Sequence, residues 1–367
     1  MRVTSAQFLE LSGSPYARGY THGRAAGGRL RAFLDDSLAR LGHLTDAYTG
    51  ADTDTGTDAD TDTDTDTGTG TARPLDLDSL RPAIEAHRAV VGEVLPELAE
   101  EIDGLAAGAD IDRDAAWLLQ LRREVLGYSR VTGGDCTTYA SVLGRPVLAQ
   151  TVDLNGNLDD QIAVLAVSGP RHRSLVLSFA GLLGYLGVND AGVAVGLNLV
   201  LGGDWEPGVP PYLAIRHVLD TADTVDQAVE ILRGLPLASS RSFMICGAYR
   251  TVCVEALGSE RRVLEGGELV HTNHFLDPDF AARDEINVFA KNSSKRRLET
   301  VLKAGIPEAG DVAGHHRLLA ARPIFVPDNG DIRRERTVAA VVMRPDLGEL
   351  RLWPGDPSAN AGEVHSL

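Results

Sequence analysis

The chain has 367 residues and a formal net charge of −17, and 43% of its residues are hydrophobic and 24% charged. This is the composition of a globular protein with a sizeable core, and the negative charge argues against a nucleic-acid partner, because phosphate binding needs clustered Lys and Arg. No apolar run reaches the roughly 18 to 20 residues that span a bilayer, so no membrane partner is expected. The N-terminus lacks the apolar region of a signal peptide, and three cysteines cannot build a disulfide framework. We therefore expect a cytoplasmic, reduced protein.

The N-terminal third is predicted to be helical on both sides of an unusual segment. Apolar residues recur at helical spacing over 14–41 and 79–105, and a third helix is predicted over 113–126. Between the first two, residues 49–73 consist almost wholly of Asp, Thr, Gly and Ala. A calcium loop is disfavoured there because the Gly and Glu that an EF-hand requires are missing. The segment is predicted to be a disordered insertion, because its aspartates repel one another and it has no residue that could anchor a core.

From Gly133 onward, short β-rich runs alternate with turn signals. The runs are 142–152, 167–179, 187–198, 243–257, 261–273 and 337–353. Their hairpin-like spacing predicts mostly antiparallel sheets, and only 213–235 and 295–303 have a helical pattern here. Helices together with hairpin-built sheets indicate an α+β fold in which two layered sheets are covered by helices.

Cys136 stands where the helix-rich sequence passes into the first predicted strand. A lone cysteine is more often a small buried apolar residue than a nucleophile. Here, however, Gly133 and Gly134 allow unusual backbone geometry just before it, and two threonines follow. Cys246 and Cys253 instead flank a predicted hairpin turn and are interpreted as buried structural thiols. Cys136 is therefore the candidate nucleophile.

A second polar group is the sequence His271-Thr272-Asn273-His274, which follows a strand-like run. Histidines at i and i+3 share one face of a helix, but on a strand they point to opposite faces. A metal site is therefore disfavoured. An alternative is that His271 or His274 serves as the base of a Cys-His amidase or protease.

Six segments together resemble the penicillin acyltransferase family, the cysteine branch of the N-terminal-nucleophile hydrolases. Each segment alone is weak, but their order and spacing are specific. They are GSPYARGYTHG (13–23), EIDGLAAGADI (101–111), CTTYA (136–140), GVNDAGVAVGLN (187–198), GVPPYLAIRHVL (208–219) and HTNH (271–274). The resemblance covers nearly the whole chain except the Thr/Asp-rich insertion, and it implies a four-layer α-β-β-α sandwich with mostly antiparallel sheets.

The resemblance also implies a precursor that cleaves itself between Asp135 and Cys136. Residues 1–135 would become a helical α chain and residues 136–367 a β-rich catalytic chain, which together form one domain. The family commonly has Gly where this chain has Asp135. An α-amino group has a pKa of roughly 7.7 to 8.0, so the new α-amine of Cys136 can act as the base for its own thiol. Neither a catalytic histidine nor a metal or other cofactor is then required.

The remaining site residues are carried over from the same resemblance. The Asn273 amide is expected to donate to the oxyanion, and the backbone N–H of Asn198 to complete that site. Thr138 and Trp205 are expected to lie at the oxyanion or substrate-binding site. Asp153 lies seventeen residues after Cys136, about one hairpin, and is expected to hold the α-amine.

A basic partner for the site is expected in the arginine-rich stretch before the last long β-rich run. The register of that run matches Arg334 to the active-site arginine of the family. Three arginines lie within four residues there, so a shift by one position stays open, as does a solvated charge cluster.

These expectations predict an enzyme that cleaves or forms an amide bond of a small N-acylated molecule through a Cys136 thioester. Transfer of the acyl group to water or to an amine differs only in the second half-reaction. The alternatives are an unprocessed Cys-His amidase or protease and a non-catalytic binding module of the same fold. The expected partners are the small acyl or amide substrate and the two chains of the precursor, and a homo-oligomer is compatible with the sequence.

Overall fold

The computed structural model describes residues 5–35, 77–126, 136–154, 158–331 and 334–367. The predicted insertion at 49–73 and the predicted cleavage residue Asp135 lie outside these ranges. The helices are α1 (Pro15–Asp35), α2 (Leu77–Val94), α3 (Pro96–Ala109), α4 (Arg113–Leu126), α5 (Pro211–Thr221), α6 (Val225–Gly234), α7 (Pro278–Ala281), α8 (Val288–Ala304) and α9 (Val312–Leu319). Within the described ranges, no helix combines the length and the apolar character that crossing a membrane requires.

The strands alternate with short turns, as the hairpin pattern predicts. They are β1 (Gln7–Leu11), β2 (Thr137–Ser141), β3 (Val147–Leu154), β4 (Ile162–Ser168), β5 (Arg173–Phe179), β6 (Leu186–Asn189), β7 (Ala194–Leu199), β8 (Arg241–Cys246), β9 (Thr251–Leu257), β10 (Glu260–Gly266), β11 (Glu268–His271), β12 (Arg336–Arg344), β13 (Glu349–Pro354) and β14 (Glu363–Ser366).

The strands form two sheets. The larger has eight strands in the order β1-β4-β5-β6-β7-β8-β9-β10, and the smaller has six in the order β11-β2-β3-β12-β13-β14. Neighbouring strands are antiparallel except β1, which runs parallel to β4. The prediction of mostly antiparallel sheets is confirmed. Strand β1 has no counterpart among the predicted strands. The chain reaches its parallel neighbour β4 only after the helical N-terminal part, because a parallel pair requires a long connection.

The two sheets pack face to face, with β2 and β3 of the smaller sheet against β7 and β8 of the larger one. Helices α5 and α6 cover the outer face of the larger sheet, and α8 and α9 cover that of the smaller one. Successive side chains of β2 point to opposite faces of the smaller sheet. Ala140 belongs to the main core, whereas Tyr139 packs in a separate cluster with Val301 of α8. The predicted four-layer α-β-β-α sandwich is confirmed.

Two predicted helices are each divided in two. The pattern over 79–105 becomes α2 and α3, because Pro96 has no N–H and its ring disfavours a continuous helix. The pattern over 213–235 becomes α5 and α6. There Thr224 starts the second helix, since its side chain accepts a hydrogen bond of 3.2 Å from the backbone N–H of Gln227.

Helices α1 and α3 approach so closely that their backbones touch. A Cβ atom at Gly19 would overlap the carbonyl oxygen of Glu101, and one at Gly108 would overlap that of Tyr20. Glycine is therefore required at both positions by contact rather than by backbone conformation. The outward-facing Gly28 of α1 has nothing within 4 Å of such an added atom.

A buried ion cluster joins these helices to α5. Glu101 accepts from Arg18 Nε at 3.0 Å and from both terminal nitrogens of Arg216 at 3.0 Å. Arg216 Nε also contacts Asp220 at 2.9 Å. Two guanidinium groups thus meet two carboxylates, and all four side chains are at most 5% exposed. Pairing of this kind is what makes buried charge tolerable.

Candidate active site

Cys136 lies directly before β2, at one end of the space between the two sheets. It is 5% exposed, and its Sγ is 3.7 Å from the hydroxyl oxygen of Tyr185. A pocket opens beside it between strands of both sheets and helices α4 and α5. The pocket is lined by Arg123, Cys136, Asp153, Tyr185, Leu197, Leu199, Tyr212 and Arg241. The candidate nucleophile therefore faces a small pocket between the two sheets.

The other two cysteines differ from Cys136 in their surroundings. Cys246 and Cys253 lie inside strands β8 and β9 and are fully buried, at most 1% exposed. Burial raises the pKa of the Cys246 thiol to about 12 and that of Cys253 further. Both stay protonated near neutral pH, as expected for structural thiols.

The backbone carbonyl of Cys136 is held by two side chains from other elements. Asn198 of β7 donates from Nδ2 at 2.9 Å, and Arg297 of α8 donates from Nη1 at 2.8 Å. The same Arg297 nitrogen also donates to Thr137 Oγ1 at 3.0 Å. These contacts fix the backbone that carries the candidate nucleophile.

Asn273 belongs to the same hydrogen-bond network. Its Oδ1 accepts from Arg297 Nη2 at 2.8 Å, and its Nδ2 donates to the carbonyl of Leu199 at 2.9 Å. Its backbone N–H donates to Ser294 Oγ at 2.7 Å. The amide nitrogen has two hydrogens, one of which it donates to Leu199, a residue that lines the pocket; Asn273 itself is not among the lining residues.

A buried carboxylate holds the turn that carries Asn273. Glu255 of β9 contacts His271 Nε2 at 2.8 Å and accepts from the backbone N–H groups of Leu276 and Asp277 at 2.6 and 3.0 Å. Burial raises the pKa of Glu255, but His271 and the two N–H groups outweigh that effect and lower it overall. His271 Nδ1 lies 2.7 Å from the carbonyl oxygen of Thr272. Both ring nitrogens of His271 are thus occupied by acceptors.

His274 has a different role from that of a base beside the nucleophile. Its Nδ1 lies 2.7 Å from Ser294 Oγ and 3.3 Å from Thr272 Oγ1. Burial, with the nearby positive charges, lowers its pKa to about 4, so it is neutral at neutral pH. Neither His271 nor His274 lines the pocket. In the part of the chain that the structure describes, no group of three or more His, Cys, Asp or Glu could hold a metal ion.

The β2–β3 hairpin returns Asp153 to the pocket, as its distance from Cys136 in sequence predicts. Thr137 pairs with Thr151 in the register of the hairpin. Asp153 is completely buried, and its Oδ1 accepts a hydrogen bond from Thr337 Oγ1 at 2.7 Å. The carboxylate of Asp153 thus belongs to a side chain that lines the same pocket as Cys136.

Arg334 lies elsewhere, which corrects the expectation that it belongs to the site. Its side chain is 66% exposed and lies 3.9 Å from Asp331 at the surface. Arg334 precedes the strand, since β12 begins only at Arg336, so the strand register does not define its position. The arginine that contacts the Cys136 backbone comes instead from α8.

That residue, Arg297, was not singled out in the sequence because Lys295-Arg296-Arg297 has the pattern of a solvated helix face. A signal was present, however. The buried positions of α8 are Ala290, Ser294, Arg297 and Val301, which recur at helical spacing. An arginine within such a buried stripe indicates a partner in the interior.

Thr138 and Trp205 lie near the pocket-lining residues but are not among them. Thr138 is fully buried on β2, with its methyl group toward Gly196 of the opposite sheet. The indole of Trp205 stacks on the guanidinium of Arg241 at 4.9 Å, and its Nε1 donates to Ser240 Oγ at 3.1 Å. Trp205 therefore contacts Arg241, which lines the pocket, and is not itself a lining residue.

Comparison with known proteins gives consistent sequence matches. Residues 142–313 match the family model of acyl-coenzyme A:6-aminopenicillanic acid acyl-transferase. The chain is 26% identical over 302 residues to the 40 kDa form of the acyl-coenzyme A:6-aminopenicillanic-acid-acyltransferase of Emericella nidulans, covering 80% of this chain and 76% of that protein. It is also 25% identical over 256 residues to an uncharacterized protein of Archaeoglobus fulgidus, covering 62% of this chain and 38% of that protein.

Two of the solved structures to which the chain is similar are hydrolases. The Caenorhabditis elegans N-acylethanolamine-hydrolyzing acid amidase ortholog is 18% identical, with a TM-score of 0.45, covering 58% of this chain and 94% of that chain. A conjugated bile acid hydrolase mutant from Clostridium perfringens is 12% identical, with a TM-score of 0.43, covering 63% of this chain and 97% of that chain.

The family-model match over residues 142–313 includes Asp153, Asn198, Asn273 and Arg297 and begins six residues after Cys136. The resemblance to the penicillin acyltransferase family that the motifs indicate is confirmed, and with it the class of enzyme, an amide-bond hydrolase or N-acyltransferase.

Proposed function

We propose that the protein is a self-processing N-terminal-cysteine enzyme that acts on a small N-acylated molecule through a Cys136 thioester. The observation that carries this proposal is the convergence around Cys136. Its carbonyl is held by Asn198 and Arg297, Arg297 orients Asn273, and Asp153 lines the same pocket. These side chains come from β7, α8, the turn after β11, and β3.

The first proposed step is cleavage of the precursor. The Cys136 thiol attacks the carbonyl carbon of Asp135, and the bond from that carbon to the Cys136 nitrogen breaks as the acyl group moves to sulfur. Water then hydrolyses the thioester, which leaves a carboxylate on Asp135 and a free α-amine on Cys136. The two chains stay together because residues on both sides of the cut share the main core.

In turnover, the α-amine takes the thiol proton, and the thiolate attacks the substrate carbonyl. The negative charge that forms on the carbonyl oxygen accepts a hydrogen bond from the Asn273 amide, which Arg297 and the Leu199 carbonyl hold in one orientation. The departing amine takes the proton from the α-ammonium group. Water or a second amine then attacks the thioester and releases the acyl group.

Asp153 is suited to hold the α-amine. Thr337 orients one of its carboxylate oxygens, and the side chain lines the pocket beside Cys136. A carboxylate there favours the ammonium form that must donate the proton to the leaving amine.

The geometry does not favour a histidine base. The two ring nitrogens of His271 are engaged by Glu255 and by the Thr272 carbonyl, and His274 is held by Ser294. A Cys-His amidase would therefore need a rearrangement of the turn that orients Asn273.

The deciding experiment is a mass measurement on the purified protein. We expect two chains of about 14 and 25 kDa, in proportion to 135 and 232 residues, and N-terminal sequencing of the larger chain should begin Cys-Thr-Thr-Tyr. Cys136→Ala should remain a single chain of 39.1 kDa, because no thioester can form.

Cys246→Ala is the matched control, since it removes a buried thiol that stays protonated; it should still be cut. An uncut wild-type chain that nevertheless hydrolyses amides would overturn the N-terminal-nucleophile mechanism while leaving the enzyme class unaffected.

A further inference from the structure

The phenol of Tyr185 contacts the candidate nucleophile and has no role in the mechanism proposed above. Its hydroxyl oxygen lies 3.7 Å from Cys136 Sγ, and both residues line the pocket between the two sheets. Tyr185 is only 4% exposed, so its hydroxyl adjoins the sulfur in a place that bulk water barely reaches. A neutral thiol is a weak hydrogen-bond partner, whereas a thiolate is a charged and therefore stronger acceptor.

Two aromatic rings hold the phenol in place. The ring of Tyr185 meets that of Phe179 edge to face at 5.2 Å between centroids, and it stacks with Tyr212 of α5 at 5.5 Å. Gly184 allows the close approach to this helix, because a Cβ atom there would lie 2.4 Å from the carbonyl oxygen of Tyr212. The hydroxyl is thus fixed beside the sulfur, and little conformational freedom is lost when it donates a hydrogen bond.

The phenol keeps its proton when the thiol loses its own. Burial raises the pKa of Tyr185 well above its ordinary value; Cys136 and Tyr212 in their charged forms raise it further, and Arg123 lowers it. With a neutral thiol either group can donate, but beside a thiolate the Tyr185 hydroxyl is the donor. Tyr185 is therefore not a base for the thiol, and its contact favours the thiolate form.

The surroundings of the sulfur make such a donor useful. Among the described residues that line the pocket, the other charged or titratable side chains are Arg123, Asp153, Tyr212 and Arg241. Arg241 is paired with Glu124, and Asp153 adds a second carboxyl group to the site. Removing a thiolate from water disfavours it, whereas a hydrogen bond to the charged sulfur favours it.

We propose that Tyr185 is a further catalytic residue, whose hydroxyl donates a hydrogen bond to the Cys136 thiolate that attacks the substrate carbonyl. This inference rests on the proposed function, because it assigns a donor to the nucleophile of the same site. The thiol proton passes to the α-amine of Cys136, and Tyr185 keeps its own proton throughout. As the bond from sulfur to the carbonyl carbon forms, the negative charge moves to the carbonyl oxygen, where Asn273 is the donor.

The first test measures the rate at which Cys136 reacts with dithiodipyridine as a function of pH, in the cleaved wild-type enzyme and in Tyr185→Phe. Mass spectrometry of the modified peptide that begins at Cys136 identifies the thiol that has reacted. Loss of a donor disfavours the thiolate, so the midpoint of the profile should rise by about 1 pH unit, which is about 10-fold less thiolate below the midpoint. Equal midpoints would overturn the proposal.

The plateau of the same profile at high pH separates a donor from a structural role. A thiolate with a higher pKa is a stronger nucleophile, with a Brønsted slope of about 0.4 to 0.5, so the plateau rate of Tyr185→Phe should be about 3-fold higher. The variant keeps the ring that contacts Phe179 and Tyr212, and thermal unfolding checks that it is folded. A lower plateau with an unchanged midpoint would reassign Tyr185 to a structural role.

Tyr139→Phe is the matched control. Tyr139 is buried on β2, and its hydroxyl oxygen is 3.0 Å from His315 Nδ1, away from the residues that line the pocket. This variant also loses one buried phenolic hydroxyl, and it should keep the wild-type midpoint and plateau. An equal rise of the midpoint in both variants would contradict a specific action of Tyr185 on the sulfur.

Turnover of an acyl p-nitroanilide as probe gives a second readout. The acidic limb of the kcat/KM profile reports ionisation in the free enzyme, so in Tyr185→Phe it should move to higher pH by the same amount as the reactivity midpoint. An acidic limb at its wild-type position would remove Tyr185 from the mechanism.

A failure of the proposed function is distinguishable from a failure of this assignment. If the wild-type chain is uncut and the probe is not turned over, the reactivity profile can still be compared between the uncut wild type and uncut Tyr185→Phe, because it requires the thiol and no turnover. A higher midpoint in Tyr185→Phe would support the donor role while the N-terminal-nucleophile mechanism fails. Equal midpoints would overturn the donor role as well.

Discussion

Buried arginines occur in two regions of this molecule, and their partners differ. Between α1, α3 and α5, Arg18 and Arg216 contact the carboxylates of Glu101 and Asp220. At the active site, Arg297 contacts three neutral oxygens, on Cys136, Thr137 and Asn273. In the first region the contacts pair opposite charges, whereas in the second they are hydrogen bonds to oxygen atoms around Cys136. The first cluster therefore stabilises the fold, and the contacts of Arg297 orient the Cys136 backbone and the Asn273 side chain.

The largest expected effect is on the stability of the helical cluster. Arg216→Met should lower the free energy of unfolding by about 3 to 5 kcal/mol, because Asp220 loses its paired charge in a buried position. Urea denaturation measures this loss. Arg233→Met, which removes a half-exposed arginine paired with Glu230, should change stability by less than about 1 kcal/mol. If the two variants were equally stable, the helical ion cluster would not be a stabilising feature.

The next effect is on the reaction. Asn273→Ala should lower kcat by about 100- to 1,000-fold, because the oxyanion loses a fixed donor. The control is Asn189→Ala, a buried asparagine whose side chain contacts Leu219, Ala222 and Val193 outside the pocket. That variant should lose stability and keep its kcat. Wild-type kcat in Asn273→Ala would reassign Asn273 to a structural role and remove the contrast between the regions.

A smaller effect tests the contact between α1 and α3. Gly19→Ala should destabilise the protein by about 1 to 3 kcal/mol, because the new methyl group overlaps the Glu101 backbone beside the ion cluster. Gly28→Ala on the same helix has open space and should stabilise by up to about 1 kcal/mol through helix propensity. Opposite signs in thermal unfolding are expected, and equal shifts would contradict the close approach of the two backbones.

The smallest effect at neutral pH is that of His22, which lies beside the ion cluster. Burial lowers its pKa to about 4, while Glu101 raises it and Arg216 lowers it. The folded state therefore binds fewer protons than the unfolded state, and stability falls as the pH drops from 6.5 toward 4. The loss from this group should be about 1 kcal/mol at pH 5.8 and negligible at pH 8. His22→Gln should flatten the dependence of the unfolding free energy on pH over this window, and an unchanged slope would refute the assignment.

The sequence predicts the layers and the candidate nucleophile because both depend on local patterns. Hairpin spacing predicts the antiparallel strands, and the setting of Cys136 after two glycines singles it out. Arg297 and Tyr185 were missed because their contacts with Cys136 arise from packing of elements far apart in sequence; Arg297 meets the Cys136 carbonyl across 161 residues. Arg334 was misplaced for the opposite reason, since a local register was extended past the end of the strand.

The parallel pairing of β1 with β4 has a consequence for association between molecules. Gln7 to Leu11 cover the edge of β4 from Ala163 to Val167. Uncovered edges recruit strands from other molecules. The short N-terminal strand thus protects the edge of β4. A truncation that removes β1 should expose this edge and cause molecules to associate through it.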